Sequence, residues 1–243
     1  MEHWALTHPG CVRQQNQDTF KIEQLGYDAL VCVVCDGMGG ARSGNVASAL
    51  ASEVFVQEIR QSYKPELSMD QVEKMLLQAA QTANYAVYDQ ARQLEDFAGM
   101  GTTLVAAFLE NGRTTVVNVG DSRAYCVTAD GIRQISVDHS LVELMVRRGE
   151  LTPEQARNYP GKNLITRAIG TEAVVECDIF YRELSRGDWL LLCTDGLTNL
   201  LDDQEILFEI AHGVDHAMCC QRLQNIALNR GAPDNVTSLL VRV

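Results

Sequence analysis

No stretch of this chain approaches the roughly twenty consecutive apolar residues that a membrane-spanning helix needs. Nor does the opening "MEHWALTHPG" carry the basic region followed by an apolar region that marks a secretory leader. The expected location is therefore the cytoplasm, with no membrane partner. Basic residues are also scarce: 20 Lys and Arg stand against 32 Asp and Glu, a formal charge of −12. Nucleic acids and anionic lipid surfaces both require a basic footprint, so the charge argues against either as a partner. Internal repeats, low-complexity tracts and linker-like stretches are lacking too, which points to a single domain over residues 1–243. With 46 % hydrophobic residues the chain has ample material for a core and is expected to fold unaided; a monomer is the expected state, although nothing in the sequence says whether the chain can dimerise.

The eight cysteines lie mostly inside apolar runs, and without export signals they read as small buried hydrophobes in the reduced state. Cys32 and Cys35 form a nominal C-x-x-C, but residues three apart on a strand point to opposite faces and cannot share a zinc ion. Cys219 and Cys220 are neighbours on a predicted helix, where a disulfide between them would be strained.

Along the chain, two short strands precede "ALVCVVCDG", a buried strand ending at Asp36. A helix is predicted from about Ser43, with Ala47, Ala51, Phe55 and Ile59 on its inner stripe beside Val46, Leu50 and Val54. A second begins near Asp70, with Glu73 closing a variant capping box. Residues 101–136 break into four β-type runs at Asn111-Gly112, Gly120-Asp121 and Asp130-Gly131, the pattern of an antiparallel meander. Residues 139–162 turn polar and helical, with Thr152, Pro153 and Gln155 as a helix start, and read as an inserted flap. Strands resume at "VVECDIFY" and "DWLLLCTDG", helices follow near 203–212 and 216–229, and "NVTSLLVRV" closes the chain. Strands and helices in blocks favour an α+β layered fold over a doubly wound parallel sheet.

The chemistry-bearing pattern is a set of acids beside glycine, asparagine or serine at the edges of apolar strands: Asp36 in "CDGMGG", Asp121 in "VGDSRA", Asp195 in "CTDGLT" and Asp234 in "APDNVT". Asp18 in "RQQNQDTF" joins them. Taken singly, each is ordinary turn chemistry. As a set on one edge of layered sheets they would repel one another and raise one another's pKa unless cations neutralised them. Oxygen ligands without histidine or thiolate select Mg²⁺ or Mn²⁺. Gly37 would let a main-chain carbonyl turn toward the same ion. Two such ions about 3.5–4 Å apart suit hydrolysis of a phosphate ester, and Arg13 is a natural donor to the phosphate.

"RQQNQD" at 13–18, "DGMGG" at 36–40, "GTT" at 101–103, "GDSR" at 120–123, "DHS" at 138–140, "NLITRAIG" at 163–170, "DWLLLCTDGL" at 188–197 and "APDNVT" at 232–237 together resemble the metal-dependent type 2C serine/threonine protein phosphatases, bacterial branch. The resemblance implies a four-layer α/β/β/α sandwich, two stacked antiparallel sheets flanked by helices, with a flap at about 139–162. It implies two or three Mn²⁺ or Mg²⁺ ions: Asp36 bridging two, the Gly37 carbonyl, Asp195 and Asp234 completing the set, Asp18 orienting bound waters, and Asp121 on a third, weaker ion. Arg13 would grip the phosphate. The activity implied is hydrolysis of phosphoserine and phosphothreonine in proteins, opposing a cognate serine/threonine kinase; the alternative is a catalytically silent module that binds metal and phosphoproteins.

Two departures from relatives stand out. Gln17 occupies a place where many have glutamate, and Met38 a place where eukaryotic members often carry a histidine proposed as proton donor. His139 is the nearby replacement in motif, with a structural role equally open. A nucleotide cradle is the third reading: "GGARSG" at 39–44 fits G-x-x-x-x-G, but Asn45 and Val46 stand where a P-loop needs Lys and Ser/Thr.

Overall fold

Apolar alternation along the strands accounts for the architecture. In the computed structural model, which describes residues 1–39, 43–93, 95–213 and 215–243, the strand β3 (Ala29–Met38) follows β1 (Glu2–His8) and β2 (Asp18–Gln24). It sends Ala29, Val31, Val33 and Cys35 to one side, and Leu30, Cys32 and Val34 to the other. All are buried, because both faces of this strand are covered. Cys32 and Cys35 accordingly point into different layers, as their spacing requires.

Two long helices, α1 (Gly44–Ser62) and α2 (Met69–Gln93), cover one face. Then come β4 (Gly101–Thr102), β5 (Leu104–Glu110), β6 (Arg113–Val119), β7 (Arg123–Thr128) and β8 (Gly131–Gln134). Two short helices, α3 (Leu141–Arg147) and α4 (Pro153–Arg157), bury no residue of their own. The rest is β9 (Asp178–Glu183), β10 (Trp189–Cys193), the single turn α5 (Asp195–Thr198), α6 (Asp203–His212), α7 (Cys219–Asn229) and β11 (Val236–Arg242).

Among the described residues the strands form two antiparallel sheets, one ordered β1-β11-β10-β7-β8 and the other β2-β3-β5-β6-β9, with β4 paired to β3. Three apolar layers hold the stack. One lies between α1, α2 and the second sheet, around Phe55, Ile59, Leu76 and Met100. Another lies between the two sheets, around Leu30, Leu109, Leu190 and Leu239. The third lies under α6 and α7, around Tyr125, Leu191, Ile206 and Leu223. This is the four-layer α/β/β/α sandwich expected from the sequence.

Several local expectations are corrected. Residues 101–136 are not one meander: β5–β6 is a hairpin of one sheet and β7–β8 a hairpin of the other, and the chain crosses between sheets at Gly120–Ser122. A Gly-Asp turn serves a crossing as readily as a hairpin, so the dipeptide alone does not discriminate. The start of α2 is capped by Ser68 with Gln71, each side chain bonding the other's backbone N–H. Glu73 instead accepts the Tyr181 hydroxyl. The strand predicted at "VVECDIFY" begins only at Asp178, with Val174 exposed. Strand β3 runs two residues past Asp36, to Met38, because Gly37 and Met38 pair with Thr102 and Gly101. The helix start at Thr152, Pro153 and Gln155 forms as predicted, a complete capping box. Of the "GGARSG" stretch, residues 40–42 lie outside the described residues.

Candidate metal centre

The five acids come to one place because strand ends of both sheets meet there. Asp18 opens β2 and Asp36 nears the end of β3, directly opposite each other in the ladder. Asp195 follows β10, Asp234 precedes β11, and these two strands pair. Asp121 sits in the crossing between β6 and β7. Their mutual electrostatics register the convergence. Burial pushes the Asp36 carboxyl upward, and Asp18, Asp195, Asp121 and Asp234 each push it further. Burial likewise raises Asp121 to about 8, with Asp195 and Asp138 adding to it. Asp195 is raised by burial and by Asp234, and it shares a hydrogen bond with Asp36.

Asp18 lies deepest. Its Oδ2 accepts hydrogen bonds from the hydroxyls of Thr194 (2.9 Å), just past β10, and Thr237 (2.7 Å), in β11 of the other sheet. Its Oδ1 is buried without a partner. Burial raises this carboxyl to about 7, against the opposing pull of the two hydroxyls.

The backbone of Asp36 is pinned by the "GTT" segment: its N–H donates to Thr103 Oγ1 (2.9 Å), and its carbonyl accepts from the Thr103 N–H (2.9 Å) and the Thr102 hydroxyl (2.8 Å). Gly37 is required by crowding. A Cβ there would stand 2.0 Å from the Gly44 carbonyl oxygen and 2.7 Å from that of Gln17. The first turn of α1 thus lies directly against the backbone beside Asp36. On the same strand, Met38 packs over Gly101, leaving a thioether where some relatives hold an imidazole.

At the rim, Arg13 donates Nη2 to Asp234 Oδ2 at 2.8 Å, and Asp234 foremost, then Asp36 and Asp195, raise its pKa further. The loop carrying Arg13 is stapled to the site by Asn235. Its Oδ1 accepts from Gln17 N (2.8 Å), while its Nδ2 donates to the carbonyls of Pro9 (2.9 Å) and Gln15 (3.0 Å). A cleft of about 710 Å³ takes in Asp121 and Asp195 and is walled on one side by α3, α4 and Lys162, on the other by α5 and Asp203.

All seven residues singled out from the sequence are therefore at one site. Thr103, Thr194, Thr237 and Asn235 are not among those seven, although each lies within a motif already quoted. His139 stands elsewhere in role: its Nδ1 accepts from Gly120 N (3.2 Å), its Nε2 faces Asp178 at 3.3 Å, and burial lowers its pKa. Its contacts are with the backbone of the crossing and with Asp178 and Arg167, not with the five acids.

The donor set fits hard divalent cations. Carboxylate and carbonyl oxygens dominate, and a buried carboxylate oxygen lacks a partner. Among the described residues, no three His, Cys, Asp or Glu side chains close around a common point.

Comparison with known proteins agrees with this chemistry. The family model for protein phosphatase 2C matches residues 12–231. The serine/threonine phosphatase stp of Listeria innocua is 36 % identical over 235 residues, covering 97 % of this chain and 93 % of the relative. The crystal structure of serine/threonine phosphatase Stp1 from Staphylococcus aureus superposes with a TM-score of 0.93 at 33 % identity, covering 100 % of this chain and 94 % of that one. The catalytic domain of a serine/threonine protein phosphatase, PstP, in complex with 2 manganese ions gives 0.83 at 32 % identity, with 98 % and 96 % covered.

Proposed function

The chain belongs to the protein phosphatase 2C family, and on that premise we propose that it is a metal-dependent serine/threonine phosphatase acting on phosphorylated proteins. The observation that carries this reading is the convergence of Asp36 with Asp18, Asp195, Asp121 and Asp234, an arrangement that destabilises the fold unless cations offset it. Asp36, Asp195, Asp234 and the Gly37 carbonyl would hold two Mn²⁺ or Mg²⁺ ions, and Asp121 a third. When bound, such ions supply a water activated at neutral pH and neutralise the charge of the phosphoryl oxygens.

The chain's own groups do the rest. Asp18, fixed by two threonine hydroxyls, offers its free Oδ1 as an acceptor that orients water beside Asp36. Arg13 spends one of its five donors on Asp234, and the others suit a phosphate at the rim. Met38 has no proton to give, and His139 is committed elsewhere. The leaving oxygen must then take its proton from solvent or from water ordered by the acids.

As an opponent of a serine/threonine kinase, such an enzyme would work in the cytoplasm as a monomer. Among the described residues no helix is long and apolar enough to cross a membrane. Phosphate release from a phosphothreonine peptide in Mn²⁺ tests the proposal. Release is expected to vanish in excess chelator and in Asp36→Asn. Undiminished release in either, or phosphopeptide binding without release, would overturn it.

A further inference from the structure

The motifs left without a task by that function, "GTT", the last two residues of "GDSR", "DHS" and the arginine of "NLITRAIG", converge on one corner. Asp121 lies in residues 120–123, where the chain passes from one sheet to the other. Consecutive residues grip the corner from both flanks. On one flank, His139 accepts the Gly120 N–H through Nδ1 (3.2 Å) and donates its own N–H to the Gly120 carbonyl (2.9 Å). On the other, Arg123 forks onto Asp138, Nε and Nη2 reaching Oδ2 at 2.9 and 2.7 Å, with Gln134 Nε2 on Oδ1 at 2.8 Å.

Both grips are themselves held. Arg123 Nη1 donates to the Tyr125 hydroxyl (3.1 Å). The other ring nitrogen of His139, Nε2, lies 3.3 Å from Asp178 Oδ2 and 3.2 Å from Arg167 Nη1, and Arg167 in turn binds Asp178 (2.8 Å). The middle of the corner is tied inward: Ser122 Oγ meets Thr103 Oγ1 at 2.7 Å, and that same oxygen receives the Asp36 N–H. Gly120 adopts φ +105°, and a Cβ there would stand 2.6 Å from the Thr103 side chain. Gly120, Ser122 and Arg123 are thus each held by a side chain of another segment, Ser122 ties the corner through Thr103 to the backbone of Asp36, and Asp121 lines the cleft.

We propose that Arg123 and His139 are positioning residues that fix Asp121 in place relative to Asp36 and Asp195. This rests on the function above, in which Asp121 helps to hold a cation. Neither residue touches the reacting atoms; each acts through the backbone flanking Asp121.

The test is a calorimetric Mn²⁺ titration of the full chain, paired with phosphopeptide kinetics. His139→Leu removes the acceptor for the Gly120 N–H, whereas His139→Asn keeps one where Nδ1 stood. His139→Leu is expected to weaken by about tenfold the binding event that Asp121→Asn abolishes, the lower end of what loss of a ligand's supporting partner does. It should lower kcat with KM unchanged, and His139→Asn should restore both. In an Asp121→Asn background, His139→Leu should add nothing, because there is nothing left to position. Equal losses in both backgrounds, or no recovery in His139→Asn, would overturn the proposal. If His139→Leu does not fold, Arg123→Gln combined with Asp138→Asn removes the fork without stranding a charge and carries the same cycle. A wild-type chain that binds Mn²⁺ yet releases no phosphate would count against the phosphatase reading alone, since the calorimetric coupling is read independently of turnover.

Discussion

Asp18 and Asp36 face each other residue for residue across the β2–β3 ladder, two carboxylates where a sheet ordinarily places partners. Like charges directly opposite destabilise a ladder, and burial raises both groups further. The metal-free fold therefore carries strain at its own functional centre. Asp36→Asn is predicted to act in opposite directions on stability and activity. In chelator at pH 8 its melting temperature should rise by about 2–8 °C, corresponding to one or two kcal/mol in a chain of this size. Phosphate release should fall at least about a hundredfold. A lowered melting temperature would show that the pair is not repulsive.

The same carboxylates give the metal-free protein a pH dependence of definite sign. Asp18 is raised to about 7 and Asp121 to about 8 from an ordinary value of 3.8. A group raised on folding supports the fold below its unfolded value, and that support is lost as pH rises through the folded value. A tenfold difference in proton affinity between the folded and unfolded chain corresponds to about 1.4 kcal/mol, so stability in chelator should decline by a few kcal/mol between about pH 5.5 and 8.5. Glu205 is lowered to about 2 by Arg230, and its support is lost only on acidification below this window. In saturating Mn²⁺ the slope should reverse, because protons compete with the ions. Thermal melts across pH, with and without Mn²⁺, read both slopes, and a flat profile in chelator would contradict the argument.

Much of this site is legible in the sequence because its acids lie in local contexts that repeat: an apolar run, an aspartate, then a small residue. The four layers are legible for a similar reason, since strands buried on both faces read as continuous apolar runs. What the sequence conceals is pairing over distance. Thr237 and Asp18 are 219 positions apart, Thr194 and Asp18 176, and nothing near either threonine marks its hydroxyl as a carboxylate's partner. The crossing at Gly120 is concealed for another reason, since a hairpin and a sheet change use the same dipeptide. Ser68 is hidden as the cap of α2 because Asp70 and Glu73 offer the same spacing two residues later.

Arg13 tests the rim. Its side chain is 54 % exposed and its ion pair with Asp234 lies near solvent, so the pair contributes at most about 1 kcal/mol to stability. Arg13→Ala should leave the melting temperature within about 3 °C of the parent. KM for a phosphopeptide should rise by about tenfold, the factor that about 1.4 kcal/mol of lost phosphate binding represents, with kcat little changed. Arg13→Lys should recover only part of this, because an ammonium lacks the planar fork. An unchanged KM in Arg13→Ala would remove Arg13 from phosphate binding.

Gly37 separates two reasons for a glycine. A Cβ at this position would stand 2.0 Å from the Gly44 carbonyl oxygen, 2.5 Å from its carbon and 2.7 Å from the Gln17 carbonyl oxygen. All three are backbone atoms, so no rotamer change relieves the clash, and α1 or the Gln17 loop must move. Gly37→Ala should therefore cost about 3 kcal/mol, the upper end of overpacking, and should lower kcat because Asp36 is displaced with its neighbour. Gly99 provides the contrast: at φ +76° with nothing within 4 Å of its missing Cβ, its substitution meets backbone conformation alone. Gly99→Ala should cost about 1–2 kcal/mol and leave kcat intact. Denaturant melts and phosphopeptide kinetics on the two variants discriminate close approach from conformational freedom. If Gly37→Ala retained full stability and full activity, helix α1 would not be pressed against the backbone beside Asp36, and Gly37 would owe its place to carbonyl orientation alone.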